Sequence, residues 1–436
     1  MQEAMSVPNG KKRLVLALAG YGTVGTGLAK VIEENRDWII ERSGSEVVIK
    51  SILVRDVNKP RNFPVPAGAT LTDDHEALLN DPEVDVLVEL MGGIEAPKKL
   101  IAAAIRAGKH VVTANKALLA EQGLELFELA AEHGVHLKYE ASVCGAIPIL
   151  DTLKENLAGN RIMRLVGILN GTANYILSEM TSNKLDFATA LKQAQELGYA
   201  EADPTLDIEG LDAAHKLCLL TRLAFGVNYP FELLPVVGVS KVEPEDIEFA
   251  REFGYRVKLV GQVQEVDGKI EAGVFPTLVH HTYLIARVGG AYNAVRLEGN
   301  ACGPIFLHGP GAGDLPTASA VLGDILSVAR GAYPNNTGFV RQVPPLANIM
   351  SPDEASSKYY FRVIVRDVPG VLRDLAGTLA EQDISIAQAT QKEKGAAEVP
   401  VVFLTHEATA RAVKAAVEEM KAKGLVVREP VYYRIL

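Results

Sequence analysis

A chain of 436 residues is too long for one hydrophobic core, which rarely grows past about 250–300 residues, so two or three domains are expected. Its 48% hydrophobic and 22% charged residues are those of a globular protein. A formal net charge of −10 without a clustered basic run argues against nucleic acid as the main partner and offers nothing to an anionic membrane. The three cysteines, Cys144, Cys218 and Cys302, lie far apart with no CxxC pair, which reads as reduced thiols in a cytoplasmic protein. Met1–Gly10 has no apolar signal-peptide stretch, although Lys11–Arg13 is basic.

Leu14–Ala19 is an apolar run too short to span a bilayer and reads as a buried strand ending at Gly20. A helix follows, with Val24, Leu28, Val31 and Ile32 on one face. Strands are predicted at Val47–Val54, Val84–Leu90, His110–Thr113 and His136–Val143, and helices at Lys98–Ala107 and Ala117–His133. Alternating strands and helices over residues 1–150 predict an α/β domain of Rossmann type, with a parallel sheet covered on both faces. Residues 151–314 read as an α+β substrate and dimerisation domain. Its strand is Arg161–Leu169, and its helices are Thr172–Met180, Phe187–Leu197 and Leu211–Phe225. From Lys258 to Leu307 it is strand-like, with a Gly-rich turn near Glu298–Gly303. A helix within 315–330 is expected to return to the first domain, and 331–356, rich in Pro, Asn and Ser, to be a linker. Residues 357–436 follow a β-α-β-β-α-β order, the ferredoxin-like unit.

Gly20-Tyr-Gly22-Thr23-Val24-Gly25 is a GxGxxG loop between a strand and a helix, the context a dinucleotide requires. Gly20 allows the tight turn, Gly22 the approach of a pyrophosphate, and Gly25 close helix–strand packing. The helix N-terminus then stabilises phosphate charge. At the end of the second strand, Arg55, with Lys59 nearby, suits a 2′-phosphate, which favours NADP, with NAD as the alternative.

The most informative stretch runs from Tyr199 to Lys216. Glu201, Asp203, Asp207, Glu209 and Asp212 crowd before an otherwise apolar helix, on which Asp212 and Lys216 share a face at i and i+4. A lysine at an apolar edge, held by an acid, can orient a substrate or move a proton, although an exposed ion pair has the same spacing. This segment resembles the signature of homoserine dehydrogenases. Asn170-Gly171-Thr172-Ala-Asn174-Tyr175, Val112-Thr113-Ala114-Asn115-Lys116, Tyr139-Glu140 through Pro148, and Gly309-Pro-Gly311-Ala-Gly313 match the same family in its order, over about residues 12–330.

The resemblance implies a small-molecule substrate, aspartate semialdehyde, reduced to homoserine by a nicotinamide cofactor. It makes Lys216 the acid/base at the carbonyl oxygen and Asp212 its orienter, and places Lys116 near nicotinamide and substrate. Glu201 and Asp207 would bind the substrate ammonium and nearby polar atoms. Thr172, Gly198 and Tyr199 would complete the substrate site, and Gly313 would touch the cofactor. Glu140, Val143, Gly145 and Ile147 resemble the family's loop for Na⁺ or K⁺, with mainly carbonyl ligands. Cys144, within that loop, has no histidine partner nearby in sequence and reads as a bystander. His133, His136, His280 and His281 lack zinc spacing and read as structural.

Arg366-Asp367-Val-Pro-Gly370-Val371-Leu372 resembles the ACT family, whose domains often bind amino acids with this loop at a dimer interface. The implied effector is the pathway end product threonine, held at Asp367, Gly370 and Val371, and the implied assembly a homodimer or homotetramer. The alternative is an ACT domain that only dimerises. No aspartokinase-like segment precedes the GxGxxG loop, so a monofunctional enzyme is expected. Two other readings compete with the enzyme: an amino-acid sensor on an inactive scaffold, and an acylating semialdehyde dehydrogenase, which needs a thiol nucleophile with a base.

Overall fold

A computed structural model describes residues 13–61, 63–331, 335–391 and 397–436. Lys11, Lys12 and residues 332–334 of the expected linker lie outside them. In chain order the first elements are β1 (Arg13–Ala19), α1 (Thr23–Glu34), α2 (Arg36–Ser43), β2 (Glu46–Leu53), β3 (Thr70–Thr72), α3 (His75–Leu79), β4 (Val86–Glu89), α4 (Glu95–Arg106), β5 (His110–Thr113), α5 (Lys116–Gln122), α6 (Leu124–Glu132), β6 (Leu137–Lys138) and α7 (Ile149–Asp151). There follow β7 (Ile162–Ile168), α8 (Gly171–Ser182), α9 (Phe187–Glu196), α10 (Thr205–Ile208), α11 (Leu211–Phe225), α12 (Pro244–Glu252), β8 (Tyr255–Val266), β9 (Lys269–His280), β10 (Tyr292–Gly299), β11 (Gly303–Pro310) and α13 (Asp314–Ala329). The last segment holds β12 (Ser356–Arg366), α14 (Val371–Glu381), β13 (Ile386–Gln391), β14 (Glu398–Thr405), β15 (Ala408–Thr409), α15 (Ala410–Ala422) and β16 (Val431–Ile435).

The chain forms two compact units. The first comprises the described residues of Met1–Met163, His215–Leu233 and Asn293–Leu346. Its parallel sheet has the order β3-β2-β1-β4-β5-β6, the doubly wound Rossmann order, which reverses between β1 and β4. Both faces are covered, so β1 reads as an unbroken apolar run with Leu14–Ala19 all buried. Helix α13 packs on α1, and Ala318, Val321 and Ile325 join the core formed by Leu16, Leu18 and Val86. Gly27 permits that approach, since a Cβ there would lie 2.9 Å from the carbonyl oxygen of Asp314.

Two expected elements of this unit differ in the structure. The helix over Ala117–His133 is broken at Gly123, where a Cβ would sit 2.3 Å from the Leu119 carbonyl oxygen, giving α5 and α6. The strand over His136–Val143 is only β6, followed by a 3₁₀ turn at Glu140–Ser142. Asn336 replaces the missing ladder: its Oδ1 accepts from Leu137 N at 2.8 Å, and its carbonyl accepts from the Tyr139 hydroxyl at 3.0 Å.

The second unit comprises the described residues of Arg164–Ala214, Leu234–Tyr292 and Ala347–Leu436. Its strands run β7-β8-β9-β16-β12-β14-β13. The last four form an antiparallel sheet with β12 central, and with α14 and α15 make the ferredoxin-like unit around Phe361, Leu375, Leu379 and Val413. Strand β16 pairs in parallel with β9, so this sheet continues into the strands before it. Behind it, the buried Asp246 of α12 accepts from Arg362 Nε at 2.6 Å and from the Tyr360 hydroxyl at 3.0 Å. Helix α12 was not evident from apolar spacing, but Glu243, Pro244 and Asp246 form its capping box.

Candidate active site

The Gly-rich loop lies at the carboxyl end of β1, at the switch point of the sheet. Gly20 has φ of +108°, and a Cβ there would meet the Leu90 carbonyl oxygen at 2.7 Å, so only glycine fits this turn. A Cβ on Gly25 would lie 2.5 Å from the Gly20 carbonyl oxygen. A Cβ on Gly22 would meet nothing within 4 Å, and Thr23 beside it is exposed. The open side of the loop therefore faces away from the protein, and its backbone suits a pyrophosphate. Val24 is half-buried, and Arg55 is exposed past the end of β2. Gly313, at φ of +125°, caps the N-terminus of α13.

Glu89 ends β4 beside this loop and is fully buried. Its carboxylate accepts from Met91 N at 2.7 Å and from the Thr113 hydroxyl at 2.6 Å. Burial pushes its carboxyl up to about 7, against the opposing pull of those donors. Thr113 Oγ1 in turn accepts from Asn115 N at 3.0 Å, and Asn115 caps α5 by accepting from Leu118 N at 3.1 Å. This chain of bonds sets the start of α5, where Lys116 stands half-buried. Glu89 was not singled out in the sequence, because one acid at the end of an apolar run has no spacing to mark it.

Helix α11 carries Asp212 and Lys216 one turn apart, 6% and 7% exposed, so the pair is not the solvated ion pair that the same spacing allows. Two ties hold α11 to α5 in the first unit. His215 Nε2 lies 2.9 Å from Glu121 Oε1, with its ring stacked on Phe231, and the buried Arg222 donates to the Leu119 carbonyl at 3.1 Å. The helices bearing Lys216 and Lys116 are therefore braced against each other.

In the second unit, Asn170 is the N-cap of α8, accepting from Ala173 N at 2.8 Å. Its Nδ2 donates to Asp207 Oδ1 at 2.6 Å and to Asp212 Oδ2 at 2.8 Å. One amide thus joins two of the carboxylates marked in the sequence. Thr172 donates to the Tyr199 carbonyl at 2.6 Å and fixes the turn after Gly198, whose φ is +76°. Tyr199 is exposed, with its ring 5.0 Å from that of Tyr175. Glu201 is exposed in the turn before α10, and among the described residues its carboxylate does not join the Asn170 group. Asn170 was visible as part of a motif, but its role depends on which residues the fold brings to it.

After β6, the Glu140 carboxylate accepts from Leu150 N at 2.8 Å and Asp151 N at 2.7 Å, and its backbone carbonyl accepts from Val143 N at 3.2 Å. Cys144 and Gly145 have φ of +58° and +55°, a left-handed pair that turns successive carbonyls. Gly145 lies against Gly311, where a Cβ would be 2.7 Å from the carbonyl carbon, while Val143 and Ile147 are buried. Cys144 is buried too. Among the described residues no group of His, Cys, Asp and Glu is arranged to hold a metal ion.

In the last segment, Asp367 is exposed, and its Oδ1 accepts from Gln391 Nε2 at 3.3 Å. Gly370 caps α14 at φ of +94°, and Val371 is buried behind it. No helix among the described residues is long and apolar enough to cross a membrane.

Residues 148–326 match the homoserine dehydrogenase family model, residues 20–140 the homoserine dehydrogenase NAD-binding domain, and residues 359–424 the ACT domain. The chain is 40% identical over 426 residues to the homoserine dehydrogenase of Helicobacter pylori, covering 98% of this chain and 99% of that protein. It superposes on the crystal structure of a homoserine dehydrogenase from Thiobacillus denitrificans with a TM-score of 0.92 at 41% identity, covering 98% and 99% of the two chains. A hyperthermophilic archaeal homoserine dehydrogenase in complex with NADPH matches at a TM-score of 0.62 and 27% identity, covering 74% of this chain and 99% of that one. The chain therefore belongs to the homoserine dehydrogenase family of NAD(P)-dependent oxidoreductases acting on a CH–OH group, with an ACT domain in its last segment.

Proposed function

We propose that the chain reduces L-aspartate 4-semialdehyde reversibly to L-homoserine, on the route to threonine, methionine and isoleucine, with NADPH as the preferred donor. The observation that carries this reading is the buried Asp212–Lys216 turn, whose acid is held with Asp207 by the Asn170 amide. When bound, the nicotinamide supplies the hydride. The Lys216 ammonium stabilises the charge that develops on the aldehyde oxygen and delivers the proton that makes the alcohol. Asp212 orients that ammonium. Asp207 and Glu201 receive the substrate ammonium, and Lys116 stands beside the reacting carbonyl. Thr172, Gly198 and Tyr199 shape the substrate turn.

Gly20, Gly22, Thr23, Val24 and Gly25 cradle the pyrophosphate, Gly313 borders the cofactor, and Arg55 meets the 2′-phosphate. Na⁺ or K⁺ is held by backbone oxygens of Glu140, Val143, Gly145 and Ile147. The left-handed pair Cys144-Gly145 supports this, because it turns neighbouring carbonyls without requiring a side-chain ligand. Threonine is the effector, taken at Asp367, Gly370 and Val371, and the working form is a cytoplasmic homodimer or homotetramer.

The test mixes purified protein with aspartate semialdehyde and NADPH or NADH in K⁺ or Na⁺ buffer, with and without threonine, following nicotinamide absorbance and product. Formation of homoserine, faster with NADPH and slowed by threonine, is the expected result. Folded protein that turns over neither cofactor would reject the reading.

A further inference from the structure

A cavity of about 390 Å³ in the second unit is lined by Ser178 and Ser182 of α8, Arg256 and Lys258 of β8, and His281 and Arg287 after β9. It lies by the last turns of α8, roughly 12–18 Å along the helix from Asn170 at 1.5 Å per residue. No Asp or Glu is among the residues that line it. Glu179, next to Ser178 on α8, accepts from Asn183 Nδ2 at 2.6 Å.

Lys258 is only 5% exposed. Its ammonium donates to Asn174 Oδ1 at 3.0 Å and to the Val288 carbonyl at 2.6 Å. An ammonium has three N–H groups, so one has no acceptor among the described residues. Arg256 donates to the Tyr255 carbonyl at 3.2 Å and Arg287 to the His281 carbonyl at 3.2 Å. Neither guanidinium has a carboxylate partner among the described residues. Burial and the nearby Arg256 bring the Lys258 amine down to about 8, the mark of a cation short of counter-charge. The negative end of α8 offsets only about half a charge of this excess.

We propose that this pocket binds a small phosphate monoester. A phosphate dianion offers three acceptor oxygens and up to two charges to Lys258, Arg256 and Arg287, which suits planar guanidinium donors. The cavity is larger than a free phosphate fills and matches the lower range of metabolite sites, leaving room for a short esterified carbon chain.

The test is calorimetric titration of the full chain saturated with NADP⁺, so that the Gly-rich loop is occupied. Glycerol phosphate and inorganic phosphate are compared at constant ionic strength, in the wild type and in Arg287→Gln and Arg256→Gln. The exposed Arg287 keeps the experiment informative if Arg256→Gln fails to fold. Glycerol phosphate should bind the wild type more tightly than inorganic phosphate and weaken about 10-fold or more in Arg287→Gln. Equal affinity in wild type and variants would place the anion elsewhere and overturn the proposal, as would absence of binding. Equal affinity for the two anions, lost together in the variants, would overturn the monoester in favour of free phosphate.

Discussion

The Asn170 amide donates to Asp212 at 2.8 Å and, from the same nitrogen, to Asp207 at 2.6 Å. Two carboxylates that would repel each other are thereby held by one donor, while the carbonyl oxygen of the same side chain caps α8. Asn170→Ala should lose about 1 kcal/mol of stability with the cap and lower kcat/KM about 10- to 100-fold. Asn170→Asp keeps an equally good cap but replaces the donor by a third acid. It should be no more active than the alanine variant. Wild-type kcat/KM in Asn170→Asp, measured beside thermal unfolding, would show that the amide matters only as a cap.

Lys216 moves the proton in the proposed reaction. Lys216→Ala should reduce kcat about 10²- to 10⁴-fold, with a smaller change in KM for the cofactor. Asp212→Asn should lose less, because the lysine remains. Steady-state kinetics at saturating NADPH check both, with circular dichroism to establish folding. A Lys216→Ala variant with near-normal kcat would transfer the role to Lys116.

Glu89 is raised from an ordinary 4.5 to about 7 by burial. The folded chain thus holds a proton there that the unfolded chain releases between pH 4.5 and 7. The stability this gives is full below pH 4.5 and is lost as pH rises through 7, a change on the order of 3 kcal/mol. Glu89→Gln should flatten that part of the curve of stability against pH. Denaturation at a series of pH values decides it: an unchanged slope in the variant would mean that Glu89 ionises normally.

Arg362 of β12 is buried against Asp246, which is fully buried on α12. Arg362→Met leaves that acid unpaired and should cost about 3–5 kcal/mol. Adding Asp246→Asn should recover a substantial part. Urea denaturation of the full chain is the measurement, and a double variant as weak as the single one would show that lost packing, not lost pairing, sets the cost.

The Rossmann unit was legible because buried parallel strands must be continuously apolar and the glycine spacing is dictated by backbone contact. Gly20 and Gly25 are required by carbonyl oxygens within 2.7 and 2.5 Å of a Cβ. The ferredoxin-like order was legible for the same reason, through short apolar strands alternating with amphipathic helices. Less visible were the break at Gly123 and the early end of β6. At the first, the backbone of Leu119 leaves no room for a Cβ; at the second, Asn336, nearly 200 residues away, takes the place of the ladder.

The sequence by itself determined the class of fold and the Gly-rich loop after the first strand, because these follow from local periodicity and from glycine's freedom in turns. Tertiary structure decided that Asn170 joins Asp207 to Asp212 and that Glu89 is buried. It also decided that His215 and Arg222 brace the helix of Lys216 against that of Lys116. A side chain's ionisation and partners depend on what surrounds it, and residues far apart in the chain become neighbours only when the core closes.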